Sequence, residues 1–299
     1  LLPIALKELV QQMDATTIVW TRLLAALLPL LVWLAWKGNL PVLARVPRRV
    51  NVLLIVAALG LCANYFFFSY SLNFVNAETS EAVIQLTTLF LILGGVLVYK
   101  EPFVTIQKLG TLLILIGLLL FFNERLRGFV DFGDRQTIGV FIVVAAAITW
   151  TVYALLQKLL LRSYSSVQIL LCIYVVSVLV LLPFIQPASL LQLDRLGLAL
   201  LVFCCLNTLV GYGCFTEALA LWDASKVSAM LALAPLFTIG GLKLIVWINP
   251  DYAYSDRLSW LSLVGAALLV LGSALTALAP RIRRRPVAAA EAQEAPTAT

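Results

Sequence analysis

Residues 71–95 read SLNFVNAETSEAVIQLTTLFLILGG, and residues 218–242 read ALALWDASKVSAMLALAPLFTIGGL. The two stretches align at an offset of 147, with Leu72 on Leu219, Ala77 on Ala224, Leu86 on Leu233, Leu89 on Leu236, Phe90 on Phe237 and Gly94 on Gly241. Upstream, Tyr65 falls on Tyr212 and Phe68 on Phe215. Downstream, after an insertion in the second copy, Gly110 and Gly117 fall on Gly265 and Gly272. Matches that persist along a chain at nearly one offset mark a duplicated structural unit.

What surrounds the duplication is apolar. The 299 residues are 62% hydrophobic and 12% charged, with a mean hydropathy of +1.01. A soluble domain of this size has about a quarter of its residues charged, so the composition predicts an all-α membrane protein and excludes a soluble enzyme. A bilayer core about 30 Å thick takes about 20 helical residues. Runs of that length lie near 17–36, 52–72, 77–99, 106–123, 138–160, 167–185, 197–219, 227–247 and 258–278. Leu1 to Val10 is apolar but too short to span, and it has neither the basic start nor the cleavage site of a signal peptide. It is expected to be the end of a tenth helix, the first in order, truncated here. The repeat alignment matches the absent part to about residues 137–151.

Ten helices divide into two units of five, 1–123 and 138–280, joined by a linker at 124–137. Five is odd, so the second unit would enter the membrane in the opposite sense, giving a ten-helix bundle of two inverted repeats. The tail 281–299, RIRRRPVAAAEAQEAPTAT, is basic and then low in complexity, and its composition predicts disorder. Lys and Arg placement sets the orientation. Lys37, Arg45, Arg48, Arg49, Lys100, Lys108, Lys158, Arg162, Lys226 and the arginines of 281–285 fall on one side. Only Lys7, Arg125, Arg127, Arg135, Arg195 and Arg257 fall on the other. Both termini are therefore expected to be cytoplasmic, with the basic tail anchored at that face.

Several chemistries are excluded. The chain contains no histidine, which removes the commonest acid–base group and the zinc sites that depend on it. Cys62, Cys172, Cys204, Cys205 and Cys214 sit inside apolar runs without CxxC spacing and read as small buried hydrophobes, with no metal site or disulfide framework. No GxxxxGK[ST] loop is present to bind ATP, and no cofactor motif appears. The formal charge of +6 is dispersed at the ends of apolar segments, which is not a nucleic-acid surface.

Three stretches carry a family resemblance that covers nearly the whole chain to Pro280. TTIVWTRLLAALLPLLVWL has an Arg among small apolar residues, at Arg22. TEALALWDASKVSAMLALAPLFTIGG has an Ala-Leu pair, a small-residue loop and a helix with an internal proline, Pro235. YKEPFVTIQKLGTLLILIGLLLFF has a Glu-containing turn at Glu101 and a Gly-rich helix. In order and duplication these resemble the drug/metabolite transporter superfamily, in its ten-helix EamA-type branch. The departures are Thr88 where the second unit has Pro235, Asn249 in WINP where the first has Glu101 in YKEP, and the longer linker DYAYSDRLSW. The resemblance implies a carrier of small organic metabolites in a bacterial inner membrane, exporting amino acids or related amines.

Polar residues at membrane depth are the candidates for function, because ionisable groups there are costly unless paired or wet. Glu78, Glu81, Gln85 and Thr88 recur at spacings of 3, 4 and 3, on one face of a helix. Their repeat mates Ser225, Ser228, Ala232 and Pro235 are not acidic. Glu81 is expected either to bind a substrate ammonium group or to carry a coupling proton. The plain alternative is that NAETSEA opens a helix capped by Asn76, with acids favoured by the dipole. Arg22, Glu78 and Lys243 are candidate charge partners: Arg22 and Lys243 either snorkel, pair with Glu81 or meet a substrate carboxylate. Pro235 lacks an amide hydrogen and is expected to kink the ninth helix, where it either lines a cavity or only packs. Asn64 and Tyr65, Trp150 and Tyr153, and Asn207, Thr208 and Tyr212 lie near the predicted membrane centre; they suit a pocket for a small amphipathic molecule, the alternative being that the aromatics only pack and that the duplicated Tyr65 and Tyr212 are signatures of the fold. The function expected is secondary transport by alternating access, with a small-molecule substrate, the lipid bilayer and protons as partners. A membrane-embedded enzyme, or a sensory or structural membrane protein, is the alternative. The enzyme reading is weakened because only Glu78 and Glu81 resemble a catalytic cluster.

Overall fold

A computed structural model describes residues 1–100, 102–123, 134–221, 230, 232–256 and 258–278. Among these residues every regular element is a helix. The α-helices are α1 (Leu2–Leu9), α2 (Ala15–Trp36), α3 (Arg48–Ser71), α4 (Ala77–Ile84), α5 (Leu86–Tyr99), α6 (Thr105–Phe121), α7 (Arg135–Leu160), α8 (Ser166–Leu181), α9 (Ala188–Leu191), α10 (Arg195–Leu221), α11 (Ala234–Ile248) and α12 (Trp260–Leu278). Among the described residues six stretches are long and apolar enough to cross a membrane: Ala15–Trp36, Arg48–Ser71, Ala77–Tyr99, Arg135–Leu160, Ser166–Phe184 and Trp260–Leu278. Thr105–Phe121, Arg195–Gly211 and Ala234–Ile248 are shorter apolar helices. In lipid a helix satisfies its backbone internally, and this is what allows such apolar segments to span.

Local chemistry sets several of the ends. The Asp14 carboxylate accepts from Thr17 N at 2.9 Å to cap α2, and Asp134 accepts from Thr137 N at 3.1 Å to cap α7. Ser165 and Gln168 form a reciprocal capping box at the start of α8. At the other ends, Gly38 (φ 62°) follows α2 and Lys100 (φ 53°) ends α5, each in the left-handed conformation that stops a helix.

Small residues govern the packing of the helices. Against α12, a Cβ added at Gly110 would lie 2.6 Å from the Gly272 carbonyl oxygen, and one at Gly117 would lie 2.8 Å from that of Gly265. The converse holds as well, with Gly272 2.6 Å from the Gly110 oxygen and Gly265 2.6 Å from the Gly117 oxygen. The residue numbers run in opposite directions across this contact, so α6 and α12 are antiparallel, and each glycine lets the opposing backbone approach. The α3–α7 pair is also antiparallel: Gly60 faces the Thr149 carbonyl and Asn64 donates to the Ala146 carbonyl at 2.9 Å. Trp20 Nε1 ties α2 to α8 through the Val178 carbonyl at 3.1 Å.

The helix expected to run unbroken over 77–99 is interrupted at Gln85, between α4 and α5, where Thr88 N bonds the Gln85 carbonyl in a three-residue step. The equivalent position in the second copy, Ala232 and Leu233, is also a turn. Pro235 stands in the first turn of α11, directly after this turn, so the chain is interrupted just before the proline and its missing N–H costs no bond within α11. Ser225 and Ser228, most of the inter-unit linker and the basic tail lie outside the described residues.

Candidate functional site: a cavity between the helices

A cavity of about 230 Å³ lies among α1, α2, α3, α4, α5 and α7. Its polar lining comes from Arg22, Asn64, Ser69 and Thr87, with Tyr65 and Trp150 as aromatic walls and Leu2, Leu6, Phe68 and Ile84 completing it. The spacing within α3 accounts for its share: Asn64, Tyr65, Phe68 and Ser69 follow one another at one- and three-residue steps, which places them on a single helical face.

The side chains are held by their neighbours. Arg22 Nε donates to Thr208 Oγ1 at 3.1 Å, and that hydroxyl donates in turn to the Cys204 carbonyl at 2.8 Å. The guanidinium carbon lies 5.6 Å from the centre of the Tyr65 ring. Asn64 is fixed by its bond to α7. Ser69 is wholly buried, and its Oγ has no hydrogen-bond partner among the described residues.

A second polar cluster closes one end of the bundle. The segment between α11 and α12 folds over the start of α4. There Glu78 Oε1 accepts from Ser255 Oγ at 2.8 Å and from Asp256 N at 3.1 Å. The Asp256 carboxylate accepts from Asn76 Nδ2 at 3.1 Å and from Thr79 Oγ1 at 2.7 Å, while Lys243 Nζ donates to the Asp256 carbonyl at 3.2 Å. Asn76 precedes α4, as expected of a cap, but its side chain makes no capping bond and turns to Asp256 instead. Lys7, buried beside this cluster, donates to the Leu72 and Val75 carbonyls at 2.6 and 3.0 Å, satisfying the end of α3.

Arg22, Asn64, Tyr65 and Trp150 thus meet around one cavity. Glu81 and Gln85 are buried but do not line it: Gln85 Oε1 accepts from Ser273 Oγ at 3.0 Å, and Glu81 makes no hydrogen bond or ion pair among the described residues. The half-buried Thr88 is likewise absent from the lining, and its neighbour Thr87 takes part. Tyr153 packs into the apolar core beside Gly60. Asn207 is exposed on α10, where Thr208 makes the inward contact instead. Tyr212 lies on α10, and its side chain is outside the described residues. Lys243 meets Asp256 rather than Glu81. Pro235 is buried at the α11 start but is not part of the lining. Among the described residues no group of three or more metal-binding side chains gathers.

The sequence reading did not select Ser69, Thr87, Ser255 or Asp256. Ser69 is a polar residue between aromatics in FFFSYS, and Asp256 lies in the linker that has no repeat mate. Both signals were present, but neither indicates a partner without the fold.

The model of the EamA-like transporter family matches residues 1–123 and 137–278. An uncharacterized transporter of Haemophilus influenzae is 38% identical over 94% of this chain and 91% of its own length. The uncharacterized inner membrane transporter YhbE of Escherichia coli K12 is 39% identical over 94% and 88%. A probable amino-acid metabolite efflux pump of the same organism is 23% identical over 81% of each chain. A solved crystal structure overlays 95% of this chain and 94% of its own with a TM-score of 0.56 at 18% identity, a likeness of fold. The chain belongs to the EamA-like transporter family.

Proposed function

We propose that this protein is a secondary carrier that exports small organic metabolites, amino acids or compounds related to them, across a bacterial inner membrane. The cavity lined by Arg22, Asn64, Ser69, Thr87 and Trp150 carries this reading: a small pocket with aromatic walls and a few fixed polar groups, set among membrane-spanning helices. The printed name of the more distant E. coli relative supports the substrate class.

The mechanism proposed is alternating access between two inverted five-helix units with both termini in the cytoplasm. It is supported by the crossed Gly110–Gly272 and Gly117–Gly265 contacts, in which repeat-equivalent residues exchange roles across antiparallel helices. The equivalent breaks at Gln85 and Ala232 support it too, since discontinuous helices form the binding sites of transporters built from inverted repeats. In this orientation the Glu78–Asp256 cluster lies on the outer side and closes it, and it must separate when the cavity opens outward. Glu81, a buried carboxyl whose charged neighbour is the amino group of Leu1, on a helix that packs against both halves, is the group proposed to carry a coupling proton.

The test is flux. Proteoliposomes loaded with a mixed metabolite pool and placed under a pH gradient are expected to release particular compounds chemically unchanged. Release that matches protein-free liposomes contradicts carriage, and chemically altered products would indicate an enzyme.

A further inference from the structure

The cavity contains a cation that no carboxylate meets among the described residues. Arg22 is 3% exposed, and a guanidinium has five N–H donors. One of them, on Nε, is spent on Thr208, and Tyr65 packs near the guanidinium. The terminal nitrogens have no acceptor among the described residues, and no carboxylate there pairs with them: Glu78 and Asp256 are engaged with each other's segments, and Glu81 does not line the cavity. A charge held inside a bundle is costly unless an anion meets it. Ser69, on the same cavity, adds an independent observation: a fully buried hydroxyl with no hydrogen-bond partner among the described residues.

We infer that Arg22 and Ser69 bind the carboxylate of the transported molecule, and that the substrates are therefore small organic monocarboxylates with an apolar or aromatic body. This deepens the carrier reading and rests on it for the word transported. The fixed fork of Arg22 presents parallel N–H groups to the two carboxylate oxygens, and Ser69 supplies a further donor. Trp150, Phe68 and Leu6 form the wall for the body. A single cation matches a single negative charge. A phosphate monoester would bring a second charge for which the lining has no partner. The ammonium-binding role considered for Glu81 thus gives way to recognition at the opposite pole of an amino acid, by an Arg that the sequence left open between snorkelling, pairing with Glu81 and meeting a substrate carboxylate.

Binding is tested apart from flux. The full chain in nanodiscs is equilibrated with the small-molecule fraction of a bacterial extract, and the retained compounds are identified by mass spectrometry against empty nanodiscs. Monocarboxylates are expected to be enriched. Arg22→Gln is expected to cut their retention at least about tenfold, whereas Arg22→Lys, which keeps the charge without the fork, retains the same class more weakly. Ser69→Ala is expected to weaken retention several-fold with an unchanged unfolding temperature. It decides the matter if Arg22→Gln does not fold, and unchanged retention in Ser69→Ala then overturns the site. Enrichment of amines, neutral compounds, phosphate esters or inorganic anions overturns the inference, as do carboxylates retained equally by Arg22→Gln or retention no greater than in empty nanodiscs. Retention without flux in proteoliposomes would keep the site and remove the carrier, while flux of carboxylates indifferent to Arg22 would do the reverse.

Discussion

Thr79 Oγ1 donates a 2.7 Å hydrogen bond to Asp256 Oδ2, joining the first turn of α4 to the loop before α12 across 177 positions of the chain. Both residues are buried, and the same carboxylate takes a second bond from Asn76. Asp256 therefore ties two side chains at the start of α4 to this loop without capping the helix backbone. Asp256→Ala leaves two donors without an acceptor and is expected to lower stability by about 2–4 kcal/mol. Thermal unfolding in detergent measures this, and a Thr79→Val, Asp256→Ala double mutant is expected to cost clearly less than the two single changes added together.

Glu78 beside it behaves differently. Its Oε1 accepts two hydrogen bonds, while its Oε2 is buried without a partner among the described residues. Glu78→Gln keeps the useful acceptor and removes a buried charge, so the unfolding temperature is expected to equal or exceed that of the parent. A loss of more than about 3 kcal/mol would mean that the charge itself holds the segment in place.

The glycines divide into two kinds. At Gly117 and Gly265 an added methyl meets opposing backbone, so alanine is expected to cost about 1–3 kcal/mol at either site. At Gly240 nothing lies within 4 Å, and alanine there is expected to be neutral or stabilising. Comparing the three unfolding midpoints checks the close contact of α6 with α12, and equal midpoints would contradict it.

Glu81→Gln is expected to preserve folding, since Glu81 makes no hydrogen bond to lose among the described residues. It is expected to abolish the dependence of flux on an imposed pH gradient. Transport in the variant that follows the gradient as in the parent would remove Glu81 from coupling.

The repeat, the apolar runs and the Arg in the second span were legible because they depend on spacing and composition, which the chain displays directly. Asn64, Tyr65 and Trp150 were legible for the same reason, as polar or aromatic residues at the centre of apolar segments. The partner of each was not. Glu78, Glu81, Gln85 and Thr88 share a helical face, yet the break at Gln85 and the docking of the 249–256 loop give them separate surroundings, away from the cavity. Asn207 and Thr208 are adjacent and equally polar. Only the rotation of α10 decides that Thr208 faces Arg22, and periodicity in a helix apolar on all sides does not fix that rotation.

The most direct measurement is of access to the cavity from each side of the membrane. Thr87→Cys, in a chain whose five native cysteines are replaced, is labelled in oriented vesicles with a thiol reagent that cannot cross the bilayer. The account predicts labelling from either side, with substrate shifting the balance between them, and with Asp256→Ala raising labelling from the outer side. Labelling from one side only, unchanged by substrate and by Asp256→Ala, would contradict alternating access around this cavity.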